Sequence, residues 1–345
     1  MKGELMRAVL VPLLAAATSL TIAGCASRRP SSAPPQIPPR QPVVGLCKSP
    51  AALPADVANK PGYHQFDVSV TDASGQPIPG LTQKDFVVFG QSRIFPVTYF
   101  RENHNDEPLA IALVIDTSGS MVPKLPVVKQ SLGSFVTKLN RCDEVILFTF
   151  SDRPYLLMPF STDHQITARR LELLHAYGQT ALYDAAKIAL QNLASADYPN
   201  RKIILITDGI DSSSSTTRPD VVAQAGQDDV PIYAVGIGDP RIKETRDVAI
   251  GPYIFNGLTD KDRVDAKSLQ DLSASAGGRS FIVPAKGPNA SEDFEDAIAA
   301  IAASVGSGYA IGAVIPADIP SSSVYVTIVK RLDAVVRAHP IAAPH

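Results

Sequence analysis

The 345-residue chain has no tryptophan, only three cysteines, and a formal net charge of just -2. No stretch is strongly basic, which excludes a sequence-independent grip on nucleic acid, because that needs many lysines and arginines on one face. No Gly-x-Gly-x-x-Gly or phosphate loop occurs, and Gly236-Ile237-Gly238 is too short to count as one. The six histidines include no pair at metal-ligand spacing on a helix, and His164 and His175 flank a predicted helix as surface or capping residues. No serine stands in a Gly-x-Ser-x-Gly elbow. Nucleotide enzymes and serine hydrolases therefore drop out. What is present is a core: 45% of residues are apolar and 19% charged, the balance of a globular protein. The 29 prolines are unevenly spread and crowd ahead of Ala51.

The first 24 residues read as an address. Lys2 and Arg7 give a positive start, and Ala8 to Leu20 is apolar but short for a membrane-crossing helix. Ile22-Ala23-Gly24-Cys25 follows, small residues ahead of a cysteine. The pattern resembles the lipobox of bacterial lipoproteins, which implies a signal peptide over 1–24 and an acylated Cys25 anchored in a lipid bilayer at the cell envelope. Several acyl chains on one residue hold firmly where one holds marginally. The alternative is an ordinary cleaved signal. Residues 25–60 are rich in Pro, Ser and Ala, including Pro34-Pro35 and Pro38-Pro39. Such a segment favours extended geometry and reads as a tether. Cys47 in the tether and Cys142 in the body could form a bridge in an oxidising compartment, and a partly buried free thiol at Cys142 is the other reading.

From 105 to 306 strands and helices alternate. Leu109 to Ile115, Val145 to Phe150, Ile203 to Ile206 and Ile232 to Val235 are continuous apolar runs. Tyr155 to Met158, between Pro154 and Pro159, reads as an edge strand, and Arg279 to Val283 as a further strand. Val128, Leu132, Phe135, Val136 and Leu139 recur at helical steps, and further helices carry Ile166 to Leu174 and Leu182 to Leu193. Helices are also predicted at Asp220 to Gln227, Ser268 to Ala276 and Glu292 to Ser304. The pattern predicts an α/β fold, a mostly parallel sheet with helices on both faces. Ligands of such sheets bind at the carboxyl ends of the strands.

Three of those ends carry chemistry. The first core strand runs into Asp116-Thr117-Ser118-Gly119-Ser120, the loop before Leu182 holds Gly178-Gln179-Thr180, and the third core strand ends in Thr207-Asp208-Gly209. This order of residues resembles the von Willebrand factor A (vWA) domain with its metal-ion-dependent adhesion site, Asp-x-Ser-x-Ser plus a Thr and an Asp from two further loops. All five positions match, at Asp116, Ser118, Ser120, Thr180 and Asp208. The resemblance implies a Rossmann-like domain that is not an enzyme and that binds Mg2+ (or Mn2+ or Ca2+). Ser118, Ser120 and Thr180 would offer hydroxyls, while Asp116 and Asp208 would act mainly through water. An ion with few direct carboxylates stays electrophilic, so the implied partner is a protein offering an Asp or Glu. The competing reading, in which Asp116, Ser118 and Ser120 only cap the next helix, leaves the other two loops unexplained. A haloacid-dehalogenase-like phosphotransferase also places an Asp at its first strand end, but needs a second Asp where this chain has Ser118. A metal-independent envelope scaffold remains open as an alternative.

The flanks are β-rich. Phe66, Val68 and Val70 alternate, Ser74 to Pro77 reads as a turn, and Asp85 to Phe89 as a second strand, making 61–104 a β-strand lead-in. It resembles the lead-in of the bacterial vWFA-related subfamily. Tyr309 to Val314 and Val324 to Val329 give strands in 307–345, and the two flanks are expected to pair as a small β-sandwich-like region around the inserted domain. Residues 239–265 are long for a strand-to-helix connection and are either part of a partner-binding rim or a self-packed insertion.

Overall fold

The computed structural model describes residues 55–72, 76–103, 108–241, 248–250, 253–255, 263–274, 277–320, 323–329 and 333–341. The expected signal peptide, Cys25, Cys47 and nearly all of the expected tether lie outside them. The tether's last residues are already ordered: a one-turn helix α1 (Ala55–Ala58) buries Val57.

The central sheet has six strands. They are β5 (Ala110–Asp116), β6 (Glu144–Phe150), β7 (Pro154–Ser161), β8 (Arg201–Thr207), β9 (Ile232–Ile237) and β12 (Ser280–Val283), in spatial order β12-β9-β8-β5-β6-β7. All neighbours are parallel except β7, which runs antiparallel at one edge. β7 is twice the length read from its prolines, and the edge position accounts for their tolerance.

Every side chain of β5 and β6 is buried, because both faces are covered. Ile111, Leu113 and Ile115 share one core cluster with residues of α2 (Leu125–Thr137), α3 (His164–Glu172) and α7 (Ala290–Val305). Ala110, Ala112 and Val114 share the opposite cluster with residues of α4 (Leu182–Leu193), α5 (Arg218–Asp228) and α6 (Ala266–Ala274). Burial on both faces is the reason the strands read as unbroken apolar runs. The chain leaves β5 toward β6 on one side and later returns to β8 on the other, so the order reverses between β5 and β8. In open sheets of this kind ligands bind at such a reversal, beyond the carboxyl ends of the strands.

The flanks form two antiparallel sheets. One is four-stranded, β15-β1-β13-β4, from β1 (Tyr63–Thr71), β4 (Val97–Asn103), β13 (Gly308–Val314) and β15 (Val335–Ile341). The other is three-stranded, β14-β2-β3, from β2 (Phe86–Gly90), β3 (Arg93–Phe95) and β14 (Val324–Ile328). Phe66, Val68, Phe86, Val88, Tyr309, Ile311 and Val326 from both sheets share one core, so strands before and after the α/β body interleave. The rings of Phe86, Phe100 and Tyr309 pack with centroids 5.0–5.9 Å apart, and Tyr309 donates its hydroxyl to the Ile78 carbonyl at 2.6 Å.

A partly buried ion pair joins β1 of the flanking sheets to β8 of the α/β body. Lys202 Nζ at the start of β8 lies 3.3 Å from Asp67 Oδ2 on β1. Burial opposes the charge on Lys202, yet Asp67 and its other neighbours raise its pKa overall. Cys142, just before β6, is buried and disulfide-bonded, not a free thiol, and its partner lies outside the described residues. Within 239–265 the described residues include a small hairpin, β10 (Val248–Ile250) with β11 (Tyr253–Phe255). No helix among the described residues is long and apolar enough to cross a membrane.

Candidate functional site

The predicted residues lie at this end of the sheet. β5 ends on Asp116, fully buried, and β8 delivers Asp208, also buried. Asp116 shapes its own loop: Oδ1 accepts the Ser118 backbone N–H at 2.8 Å, and Oδ2 accepts the Thr207 hydroxyl at 2.6 Å. Ser118 Oγ lies 3.1 Å from Ser120 Oγ, and Ser120 donates to Asp208 Oδ2 at 2.5 Å. Asp208 Oδ1 accepts the Ile210 N–H at 3.3 Å. Four of the five predicted residues thus form one oxygen-lined network.

Thr180 reaches the same end of the sheet on a neighbouring loop. The Tyr177 N–H donates to the Thr117 carbonyl at 2.7 Å and the Gly119 N–H to the Gly178 carbonyl at 3.0 Å, which stitches this loop to the Ser118–Ser120 turn. Gly178 has φ +78°, and a Cβ there would stand 2.8 Å from the Asp152 carboxylate, whose Oδ1 accepts the Gln179 N–H. Behind the loop, Thr180's carbonyl accepts the N–H groups of Ser212 and Ser213, and Asp211 Oδ1 caps the start of α4 through the Leu182 N–H.

The capping alternative fails on geometry. Ser118 flanks a 3-10 turn, Gly119–Met121, but its side chain makes no capping hydrogen bond, and the residue before α2 is Lys124, not a serine. The Ser118 and Ser120 hydroxyls face each other and Asp208 instead.

The electrostatics are those of a place that favours a cation. Burial first, and then the charge of Asp208, push the Asp116 carboxyl up to about 7 against the opposing hydrogen bonds from Ser118 and Thr207. Two carboxylates without water would repel unless a positive charge stood near. One does: Lys124 Nζ lies 3.5 Å from Asp208 Oδ2. Neither Lys124 nor the Thr207 hydroxyl was singled out in the sequence. Thr207 adjoins Asp208 and was open to notice, whereas nothing in the spacing marks a lysine four residues past Ser120 as buried.

The donor set suits a small divalent ion. All the groups are oxygens, and adjacent oxygens of an octahedron with ~2.1 Å metal–oxygen bonds stand about 3 Å apart. Ser118 Oγ and Ser120 Oγ have that separation.

A family of known proteins matches the α/β body. The family described as von Willebrand factor type A domain matches residues 110–297. An uncharacterised protein of Borreliella burgdorferi is 24% identical over 183 residues, covering 50% of this chain and 53% of its own length. This chain therefore matches about half of that relative. Among solved structures, a conserved hypothetical protein, BatB, from Bacteroides thetaiotaomicron is 18% identical with a TM-score of 0.43, over 56% of this chain and 98% of that one. Proximal thread matrix protein 1 from the mussel byssus, solved with a zinc-occupied MIDAS motif, is 15% identical with a TM-score of 0.46, over 61% of this chain and 49% of that one.

Proposed function

The chain belongs to the von Willebrand factor type A domain family, and from that premise we propose that it binds a divalent cation at Asp116, Ser118, Ser120, Thr180 and Asp208 and through it an acidic side chain of a protein partner. The observation that carries the reading is the buried network in which Asp116, Ser118, Ser120 and Asp208 converge at the point where the strand order reverses. Ser118, Ser120 and Thr180 would hold the ion with neutral hydroxyls, and Asp116 and Asp208 would orient its waters. Mg2+ is the first candidate, Mn2+ and Ca2+ the next, since all prefer oxygen donors. Once bound, the ion supplies Lewis acidity toward an incoming Asp or Glu carboxylate. The protein's part is to keep direct carboxylates few and the hydroxyls fixed, so that this attraction is not spent internally. The role is adhesion or assembly, with no bond made or broken by the chain.

The setting we propose is the cell envelope, with the domain held to a bilayer through an acylated Cys25 and the proline-rich segment as spacer. This part rests on the sequence alone. The test is capture of envelope proteins on the immobilised protein with MgCl2 and with chelator, for wild type and Thr180→Ala. Capture that needs the metal and drops at least about tenfold in the variant, the scale of losing one ligand's worth of affinity, is the expected result. Equal capture under all four conditions would favour a metal-independent scaffold.

A further inference from the structure

We infer that Lys124 is a built-in cation of the Asp116–Asp208 site, placed so that the site loaded with a divalent metal keeps a net positive charge for an acidic ligand. The inference rests on the metal-binding reading and deepens it, because it assigns a residue outside the five-residue pattern and says what that residue tunes.

Lys124 stands where a lysine is seldom found. It is 3% exposed, and lysine is almost never buried so fully unless paired. It stands immediately before α2, a 13-residue helix, at the end where the helix dipole is positive and disfavours a cation. Its neighbour Val122 is exposed, so solvent is close by, yet the ammonium turns inward. Its Nζ makes no hydrogen bond and faces Asp208 Oδ2 at 3.5 Å, with both side chains shut off from water. The backbone fixes this placement: the Lys124 N–H donates to the Met121 carbonyl at 3.0 Å, and its carbonyl receives the Val128 N–H at 3.3 Å, so the lysine is folded back over the turn that carries Ser118 and Ser120.

The charges then have a function. Two carboxylates alone would be exactly neutralised by a divalent ion, leaving nothing over to attract an anion. With Lys124 charged and both carboxylates ionised, the metal-free site carries one negative charge, the loaded site one positive charge, and the site holding a partner's carboxylate none. Lys124 thus weakens metal binding and strengthens ligand binding, and it holds Asp208 when no metal is present.

The test uses the purified protein stripped with chelator, as wild type, Lys124→Met, Lys124→Gln and Lys124→Arg. Mn2+ affinity is read by calorimetry, acetate binding to the Mn2+-loaded protein by water-proton relaxation, and the metal-free thermal midpoint by circular dichroism. Both neutral variants are expected to bind Mn2+ about tenfold more tightly or better, given the strength of a charge so close to the ion. They should bind acetate at least about fivefold more weakly and melt lower without metal, while the arginine variant stays near wild type. The glutamine variant covers the case in which methionine fails to fold. If wild type binds Mn2+ and both neutral variants bind it equally or less well, Lys124 has no such role and the metal reading stands. If no protein binds Mn2+, the metal reading falls and this inference with it.

Discussion

With chelator present, the protein is expected to lose stability as the pH rises from 4.5 to 7.5, because the coupled Asp116–Asp208 pair must give up a proton that the folded state holds. Folded, the Asp116 carboxyl is pushed up to about 7, against 3.8 as the ordinary value. Between these two values the unfolded chain has already released the proton while the folded chain still holds it. The folded state therefore binds more protons across that window, and raising the pH favours unfolding. Below 3.8 both states are protonated, and above about 7 both are ionised and the full cost is in place. Asp143 and Asp229, each raised to about 6 by burial, add to the slope in the same direction. Asp116→Asn removes the ionisable group: its amide oxygen can still accept the Ser118 N–H, while its NH2 takes the place of the oxygen that accepts the Thr207 hydroxyl, so the comparison is read from the slope with pH and not from the absolute stability. Urea unfolding of both proteins at several pH values is the check: the variant should show a clearly shallower decline. Parallel curves would mean that Asp116 is not held against its charge.

The second large effect lies in the strand that carries the site. Leu113 is fully buried at the middle of β5, flanked in register by Leu147 on β6 and Ile204 on β8, three residues before Asp116. Leu113→Ala removes three buried carbons where neighbours on both sides are fixed by the sheet, and the site cannot collapse to fill the gap. A loss of ~3 kcal/mol follows. Leu173→Ala is the control: Leu173 is 59% exposed, and its loss should change stability by less than about 0.5 kcal/mol. Equal effects from the two, measured by urea unfolding, would contradict the assignment of the core.

The α/β body was legible because its strands are buried on both faces, and such strands spell out continuous apolar runs such as Ala110–Ile115 and Ile203–Ile206. The weaker flanking strands were not. β4 reads Val-Thr-Tyr-Phe-Arg-Glu-Asn, β3 is three residues long, and β15 is an edge strand containing Pro340. Each is recruited by partners distant in sequence, β15 by β1 and β4 by β13, and pairing of that kind leaves little local trace. The oxygen-bearing residues could be read because they fall in a compact order on three strand ends. Lys124 could not, since an isolated lysine at a helix start looks like any solvated charge until its burial is known. A bridge at Cys142 stood in the sequence only as one of two readings, because spacing between cysteines does not fix geometry.

On the proposed reading, Asp116, Ser118, Ser120, Thr180 and Asp208 would hold one divalent cation. Calorimetric titration of MnCl2 into the chelator-stripped protein tests it most directly, with Ser118→Ala/Ser120→Ala as the comparison, since that double variant removes two neutral hydroxyls and no charge. Wild type is expected to bind one Mn2+ per chain and the variant to bind it at least about a hundredfold more weakly, the scale of losing two of six ligands, with unchanged far-ultraviolet circular dichroism. Absence of binding in wild type, or the same affinity in both proteins, would contradict it.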